Sequence, residues 1–118
     1  MPPRIIRIDR DGHVINQDYR VGLSKSGANG KPQDVIWIDT QNGGPWTITF
    51  DKTTSTAPNT FPVQPGSPFS EPTFTVQNGA SASSGLVRNN ATVPGTYRFN
   101  VRNAAGTITD DPDVDVEG

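Results

Sequence analysis

The sequence predicts an all-β protein that folds as one domain, and three observations support this prediction. The chain has ten Val and eight Ile but only two Leu, and β-branched side chains favour strands over helices. Twelve Gly and eleven Pro interrupt it so often that little room is left for a helix. Finally, 118 residues are too few for two domains, so we expect a single domain over residues 1–118.

The first quarter of the sequence has several short segments with strand character. The apolar run Arg4–Ile8 is followed by Asp11-Gly12, a pair typical of tight turns, which leads into His13–Ile15. In Tyr19–Leu23 apolar and other residues then alternate. These segments predict a first hairpin or a bent pair of strands. The segment Ser26–Pro32 has the composition of a loop.

Two strands on either side of a turn are predicted next. Gln33–Thr40 carries apolar residues on both faces, which is typical of a central strand. Gln41–Pro45 is rich in Asn and Gly and ends in Pro, and therefore predicts a turn. In Trp46–Phe50 every second residue is apolar and Thr lies between, the pattern of a half-buried strand.

The following region is less regular. Lys52–Pro72 contains many Thr, Ser and Pro residues with isolated apolar side chains, which indicates a long irregular connection. Pro72–Val76 predicts a short strand, and Asn78-Gly79 after it predicts a turn. Ser81–Val87 is weakly extended in character.

The last third of the sequence predicts two further strands. Gly95–Arg102 alternates apolar side chains with Arg98, Asn100 and Arg102, and in the final segment Val114 and Val116 alternate with acidic residues. We expect the valines to face inward. Because charge on an edge strand blocks pairing with other sheets, we expect Asp113, Asp115 and Glu117 to form the solvated face of an edge strand. We also expect the two arginines to pair with these carboxylates. Strands of this length and spacing favour a two-sheet sandwich.

Composition excludes several classes of function. A formal net charge of -2 and a pI near 5.1 give no electrostatic reason to bind nucleic acid or anionic lipid. No apolar segment approaches the roughly 18 residues of a membrane span, so we expect no membrane insertion. The start lacks the apolar segment of a signal peptide, and we expect a cytoplasmic protein or a secreted one whose leader has been removed. Without Cys there is no thiolate nucleophile and no Cys-based metal site.

Two segments of the sequence resemble the cupredoxins, the plastocyanin- and azurin-like β-sandwiches. Val35–Ile38 followed by Asn42–Asp51 resembles the family's V-x-W strand, Asn/Gly turn closed by Pro-His, and I-x-F-D strand. Gly95–Gly106 resembles the family's G-x-Y-x-F-x-C-x-x-H-x-G segment. The similarity extends over residues 33–118. It implies a Greek-key β-sandwich of about seven to eight strands.

The resemblance also implies a copper site, but the matching positions do not supply its ligands. Trp46 stands at the position of the first His, Val101 at that of the Cys and Ala104 at that of the second His, and the segment Thr107–Thr109 contains no Met. Blue copper needs a thiolate and two imidazoles with a weak axial Met. We therefore expect no metal and no cofactor.

Other candidate sites lack a chemical partner. His13, the single His, could be a general base or one metal ligand, but it is more simply a surface residue beside a turn, because one imidazole without a nucleophile supplies no mechanism. Asp110–Asp115 offers oxygen atoms to calcium, but its spacing fits no calcium loop. No G-x-S-x-G, phosphate-binding or H-E-x-x-H motif is present, and we expect no enzyme.

These observations predict a non-catalytic module that binds another protein, including further copies of itself, or has a structural role. Its candidate binding residues are Trp46, Arg98 and Arg102. Trp46 either fills the vacated metal position from inside or forms an exposed platform, and its alternation with apolar residues favours the first. The two arginines either pair with carboxylates or form an anion site. The alternative function is a carbohydrate-binding module in which Trp46 stacks on sugars with Tyr97 or Trp37.

Overall fold

The computed structural model describes residues 3–15, 20–25, 32–51 and 61–118. Within these ranges the protein forms ten strands and no helix, which confirms the all-β prediction. No helix in these ranges could cross a membrane. The strands are β1 (Arg4–Ile8), β2 (Arg20–Ser24), β3 (Asp34–Asp39), β4 (Trp46–Phe50), β5 (Val63–Gln64), β6 (Thr73–Val76), β7 (Ser81–Leu86), β8 (Gly95–Arg102), β9 (Ile108–Asp110) and β10 (Asp113–Glu117).

The strands form two sheets in a compact, sandwich-like arrangement. The smaller sheet has the order β1-β3-β7, and the larger has the order β2-β10-β8-β4-β6, with β5 and β9 also paired to β8. β1 runs parallel to β3 and β2 runs parallel to β10. The neighbours β3 and β7, β10 and β8, β8 and β4, and β4 and β6 are antiparallel. Two short strands, β5 and β9, raise the number above the seven or eight predicted.

The predicted first hairpin is confirmed for His13–Ile15, which returns antiparallel along β1, but not for the segment that forms β2. The turn at Asp11-Gly12 is present, and Ile8 forms an antiparallel bridge with Val14. However, β1 and β2 belong to different sheets, and each takes a parallel partner from much later in the sequence. Alternation along a strand indicates which side chains are buried, but it does not specify the neighbouring strand. Tyr19 and most of the predicted loop Ser26–Pro32 lie outside the described residues.

An aromatic cluster between the two sheets forms the centre of the core. Trp37 of β3 lies edge-on to Phe99 of β8 with ring centroids 5.8 Å apart, and 5.0 Å from the ring of Phe74 of β6. Phe50 and Phe69 complete the cluster, each within 6.3 Å of Trp37. Aromatic pairs of this kind contribute about 0.5–1.5 kcal/mol beyond the area that they bury. The predicted irregular connection supplies Phe69, while its residues 52–60 lie outside the described ranges.

Tyr97 anchors the connection that leads into β8. Its ring is fully buried, and its hydroxyl donates a hydrogen bond of 2.7 Å to the carbonyl oxygen of Thr92. A tyrosine near the start of a strand that bonds back to the preceding residues is the tyrosine corner of β-sandwiches. Burial raises the pKa of the Tyr97 hydroxyl above its ordinary value. The corner thus fixes the connection between β7 and β8 to the core.

The prediction of a solvated acidic edge strand at the C-terminus is wrong. β10 lies between β2 and β8, and Asp113 and Asp115 are 0% and 7% exposed, whereas Glu117 is exposed. Asp115 accepts a hydrogen bond of 2.7 Å from the Thr96 hydroxyl. Polar partners on β8 therefore allow this face of the sheet to be buried. The inward orientation of the two valines of β10 is confirmed, since both are fully buried.

Candidate functional site

Asp39, the last residue of β3, is the centre of a hydrogen-bond network at one end of the sandwich. Its carboxylate is 3% exposed. One oxygen, Oδ1, accepts hydrogen bonds from the backbone N–H of Gly43 at 3.1 Å and from Trp46 Nε1 at 3.2 Å. The other, Oδ2, accepts from the N–H groups of Gly44 at 2.9 Å and Gly79 at 2.8 Å. A single side chain therefore joins the loop before β4 to the turn before β7.

The local sequence makes this arrangement possible. Asn42 has a φ of 56°, in the left-handed region that Asn tolerates better than most residues. At Gly43 an added Cβ would meet the backbone of Arg10 and would lie 2.9 Å from Cζ2 of the Trp46 ring. Only a residue without a side chain fits there. The turn Gln41–Pro45 that the sequence predicts is thus wrapped tightly around the carboxylate.

The network determines the charge state of Asp39. Burial by itself would raise the pKa of this carboxyl group, but hydrogen bonds from Gly79, Gly44, Trp46 and Gly43 outweigh it and hold the pKa below its ordinary value. Hydrogen bonds to a carboxylate favour its charged form. Asp39 is therefore ionised at neutral pH, and its charge is shared among four donors.

Trp46 occupies the interior of this end of the molecule. Its side chain is 3% exposed, and its ring is so close to Gly12 that an added Cβ there would lie 2.7 Å from Cζ3. Of the two interpretations of this residue, the geometry matches the internal plug and leaves no indole face open as a platform. The proposed role of Trp46 in binding stays a prediction.

The positions that match copper ligands do not fit copper. Val101 is fully buried and lies opposite Ile48 in the pairing of β8 with β4, while Ala104 lies in the exposed turn that follows β8. The indole nitrogen of Trp46 carries a hydrogen and donates a hydrogen bond to Asp39, so it offers no free lone pair to bind a metal. In the described ranges no three His, Asp or Glu side chains converge as a metal site.

The two candidate arginines have different surroundings. Arg98 is 4% exposed, and its Nε lies 3.9 Å from Asp113 Oδ1, which confirms the predicted pairing with a C-terminal carboxylate. Arg102 instead donates from Nε to Asn100 Oδ1 at 3.1 Å and from Nη1 to the carbonyl of Gly106 at 3.0 Å. Both guanidinium groups thus take part in contacts within the fold.

Side chains also fix the other loops at the Trp46 end. Asp9 Oδ1 accepts hydrogen bonds of 2.9 Å from the N–H groups of Asp11 and His13. Asn103 Oδ1 accepts hydrogen bonds of 3.0 Å from those of Ala105 and Thr107. His13 itself is exposed on its turn.

Asn78 links two of these loops directly. Its Nδ2 donates to the carbonyl oxygens of Asn42 at 2.9 Å and Gly44 at 2.8 Å. Sequence reasoning did not identify Asn78 or Asp39 as organising residues. The available signal was an acidic residue at the end of an apolar strand, followed by a Gly-rich turn, because such loops expose backbone N–H groups that need an acceptor.

No family model matches this protein, and no curated protein and no solved structure matches it either.

Proposed function

We propose that this protein is a copper-free, cupredoxin-like Greek-key domain that acts as a non-catalytic protein-binding or structural module. The observation that carries the proposal is the burial of Trp46, which stands at the position of the family's first copper-binding His. Its indole N–H donates a hydrogen bond to the buried carboxylate of Asp39. The pairing of β4 with β8 also supports it, because these strands come from the two segments that carry the resemblance. Without a metal, the protein recognises a partner through the shape and chemistry of its surface.

The loops around Trp46 are the proposed contact surface. The carboxylate of Asp39 and the side chains of Asp9, Asn78 and Asn103 hold their backbone in place. Binding to loops whose backbone is already ordered avoids the entropic cost of fixing that backbone, about 1–2 kcal/mol per residue. The exposed residues of this surface are Arg10, Asp11, His13, Gln41, Asn42 and Asn78.

The carbohydrate-binding alternative depended on exposed aromatic rings. Trp37, Trp46 and Tyr97 are all buried, so none offers a face for stacking on a sugar. No contact in the described residues favours this alternative.

The copper-free part of the proposal is tested by titration of the purified protein with Cu²⁺. We expect no intense visible absorption band and no tight stoichiometric uptake by calorimetry, because the matched positions supply neither thiolate nor imidazole. A blue, stoichiometric complex would overturn the proposal.

Self-association is tested by light scattering across a dilution series at micromolar concentration. If further copies of this protein are the partner, the mass lies above the 12.7 kDa of one copy and falls on dilution. Gln41→Arg and Asp11→Lys variants, which alter the proposed surface without touching the core, are expected to lower the mass. A constant monomeric mass for the original protein would exclude self-assembly.

A further inference from the structure

We propose that Asp39 protects two asparagine residues, Asn42 and Asn78, from spontaneous deamidation. Each is followed by a glycine, Gly43 or Gly79, and a glycine nitrogen is the least hindered backbone nucleophile because the residue has no Cβ. The inference does not depend on the proposed function. It assigns two latent modification sites and the residue that keeps them unmodified.

The reaction requires the backbone nitrogen that follows the asparagine. That nitrogen loses its proton and attacks Cγ of the asparagine, so that a new bond between nitrogen and carbon closes a five-membered succinimide ring. The bond between Cγ and Nδ2 breaks, and the amide leaves as ammonia with the added proton. Water then opens the ring at either of its two carbonyl groups and yields aspartate or isoaspartate. No oxidant or reductant is involved.

In this fold both attacking nitrogens are bound to one carboxylate. The N–H of Gly43 donates to Asp39 Oδ1 at 3.1 Å, and the N–H of Gly79 donates to Asp39 Oδ2 at 2.8 Å. A nitrogen held in this way points its hydrogen at the carboxylate rather than turning toward the neighbouring asparagine. Attack on either asparagine must therefore first break a hydrogen bond to a charged acceptor, one of the stronger kinds in proteins.

The negative charge of Asp39 opposes the same reaction. Attack proceeds through a deprotonated amide nitrogen, which carries a negative charge. A carboxylate about 3 Å away disfavours a second negative charge, and Asp39 itself is only 3% exposed. Geometry and charge thus act in the same direction at both sites.

The amide groups of the two asparagines are also constrained. Asn78 Nδ2, the group that would leave as ammonia, donates to the carbonyl oxygens of Asn42 and Gly44. The Oδ1 of Asn42 lies over Gly79, where an added Cβ would be only 2.6 Å away. Conversion of Asn78 to aspartate would place a negative oxygen against two carbonyl oxygens. One deamidation would therefore separate the two loops and expose the other site.

The test compares rates of deamidation at single residues. The folded protein and two synthetic peptides, residues 38–47 and 74–83, are incubated at mildly alkaline pH and analysed by peptide mapping with mass spectrometry. We expect both sites to react at least about tenfold more slowly in the folded protein than in the peptides, which corresponds to about 1.4 kcal/mol of activation free energy. Equal rates in protein and peptides would overturn the proposal.

An Asp39→Asn variant tests the role of the carboxylate. It is expected to accelerate both Asn42 and Asn78 toward the peptide rates and to increase hydrogen exchange at Gly43 and Gly79. The matched control is Val116→Ala, which destabilises the buried core of β10 without touching the Asp39 network. If the control accelerates both sites as much as Asp39→Asn does, general loss of stability is the cause and the proposal fails.

If Asp39→Asn does not fold, hydrogen exchange of the original protein decides. Rapid exchange at Gly43 and Gly79 contradicts the proposal, and slow exchange supports it.

Discussion

The indole nitrogen of Trp46 donates a hydrogen bond of 3.2 Å to the carboxylate of Asp39, and both side chains are 3% exposed. A buried charge is costly unless it is hydrogen-bonded, and a buried indole N–H also needs an acceptor. Each group thus supplies the hydrogen-bond partner that the other needs. The pair joins the end of β3 to the start of β4 across the turn Gln41–Pro45 and closes the end of the sandwich.

Replacing Trp46 with Phe should destabilise the protein through both packing and hydrogen bonding. A hydrogen bond to a charged group contributes about 1.5–3 kcal/mol, and the smaller ring leaves a gap as well. The measurement is the free energy of unfolding in urea. Trp37→Phe is the matched control, because within the described residues Trp37 Nε1 is buried without a hydrogen-bond partner. Only Trp46→Phe should alter the acid dependence of stability; an equal acid dependence in both variants would contradict this explanation.

Stability should fall at acid pH as Asp39 takes up a proton. Its folded-state pKa is below the ordinary value of 3.8, so the unfolded state binds the proton first as pH decreases. The contribution of Asp39 is therefore fully present above about pH 3.8 and is lost as pH falls through the lower, folded-state pKa. Urea midpoints between about pH 2 and 6 should show a weaker pH dependence for Asp39→Asn than for the original protein. Parallel curves would show that Asp39 does not contribute.

The hydroxyl of Tyr97 should stabilise the fold and make it sensitive to alkali. Tyr97→Phe removes the hydrogen bond to Thr92, which is expected to cost about 0.5–1.5 kcal/mol of unfolding free energy. Because burial raises the pKa of Tyr97 above 10.0, its contribution is complete below that pH and is lost as pH rises through the higher, folded-state pKa. Guanidinium unfolding between about pH 8 and 11 checks both effects. A Phe variant with an unchanged alkaline slope would contradict the second.

The pair of Arg98 and Asp113 should be sensitive to removal of one partner. Both side chains are almost completely buried, and breaking a buried ion pair leaves an uncompensated charge at a cost of about 3–5 kcal/mol. We expect Asp113→Asn to reduce the free energy of unfolding by an amount in this range. Glu117→Gln on the same strand is the control: its side chain is exposed, and it should change stability by less than about 0.5 kcal/mol. A loss for Asp113→Asn that is as small as the one expected for Glu117→Gln would contradict a stabilising role of the buried pair.

Local sequence patterns predicted most strands because they depend on neighbouring residues. The alternation in Trp46–Phe50 placed Trp46, Ile48 and Phe50 on the buried face, as observed. The same logic failed for β10, where Asp113 and Asp115 alternate with valines as on a solvated edge. Their burial depends on Thr96 and Arg98 of β8, which no pattern within β10 itself can indicate.

The candidate site was predictable only in its outline. The alternation of Trp46 with Ile48 and Phe50 indicated that its side chain faces inward, which agrees with its exposure of 3%. The central role of Asp39 was not apparent, because three of its four donors are backbone N–H groups of glycines and side-chain identity does not reveal where backbone groups converge.

By itself, the sequence determined the strand content, the inward face of most strands and the absence of copper ligands at the matched positions, since these follow from residue type and short-range periodicity. Only the tertiary structure decided that β1 and β2 separate into two sheets, that an acidic strand is buried, and that one carboxylate binds two distant turns. The physical reason is that pairing and charge compensation are interactions between residues far apart in the sequence, and their energy depends on which groups the fold brings within hydrogen-bonding distance.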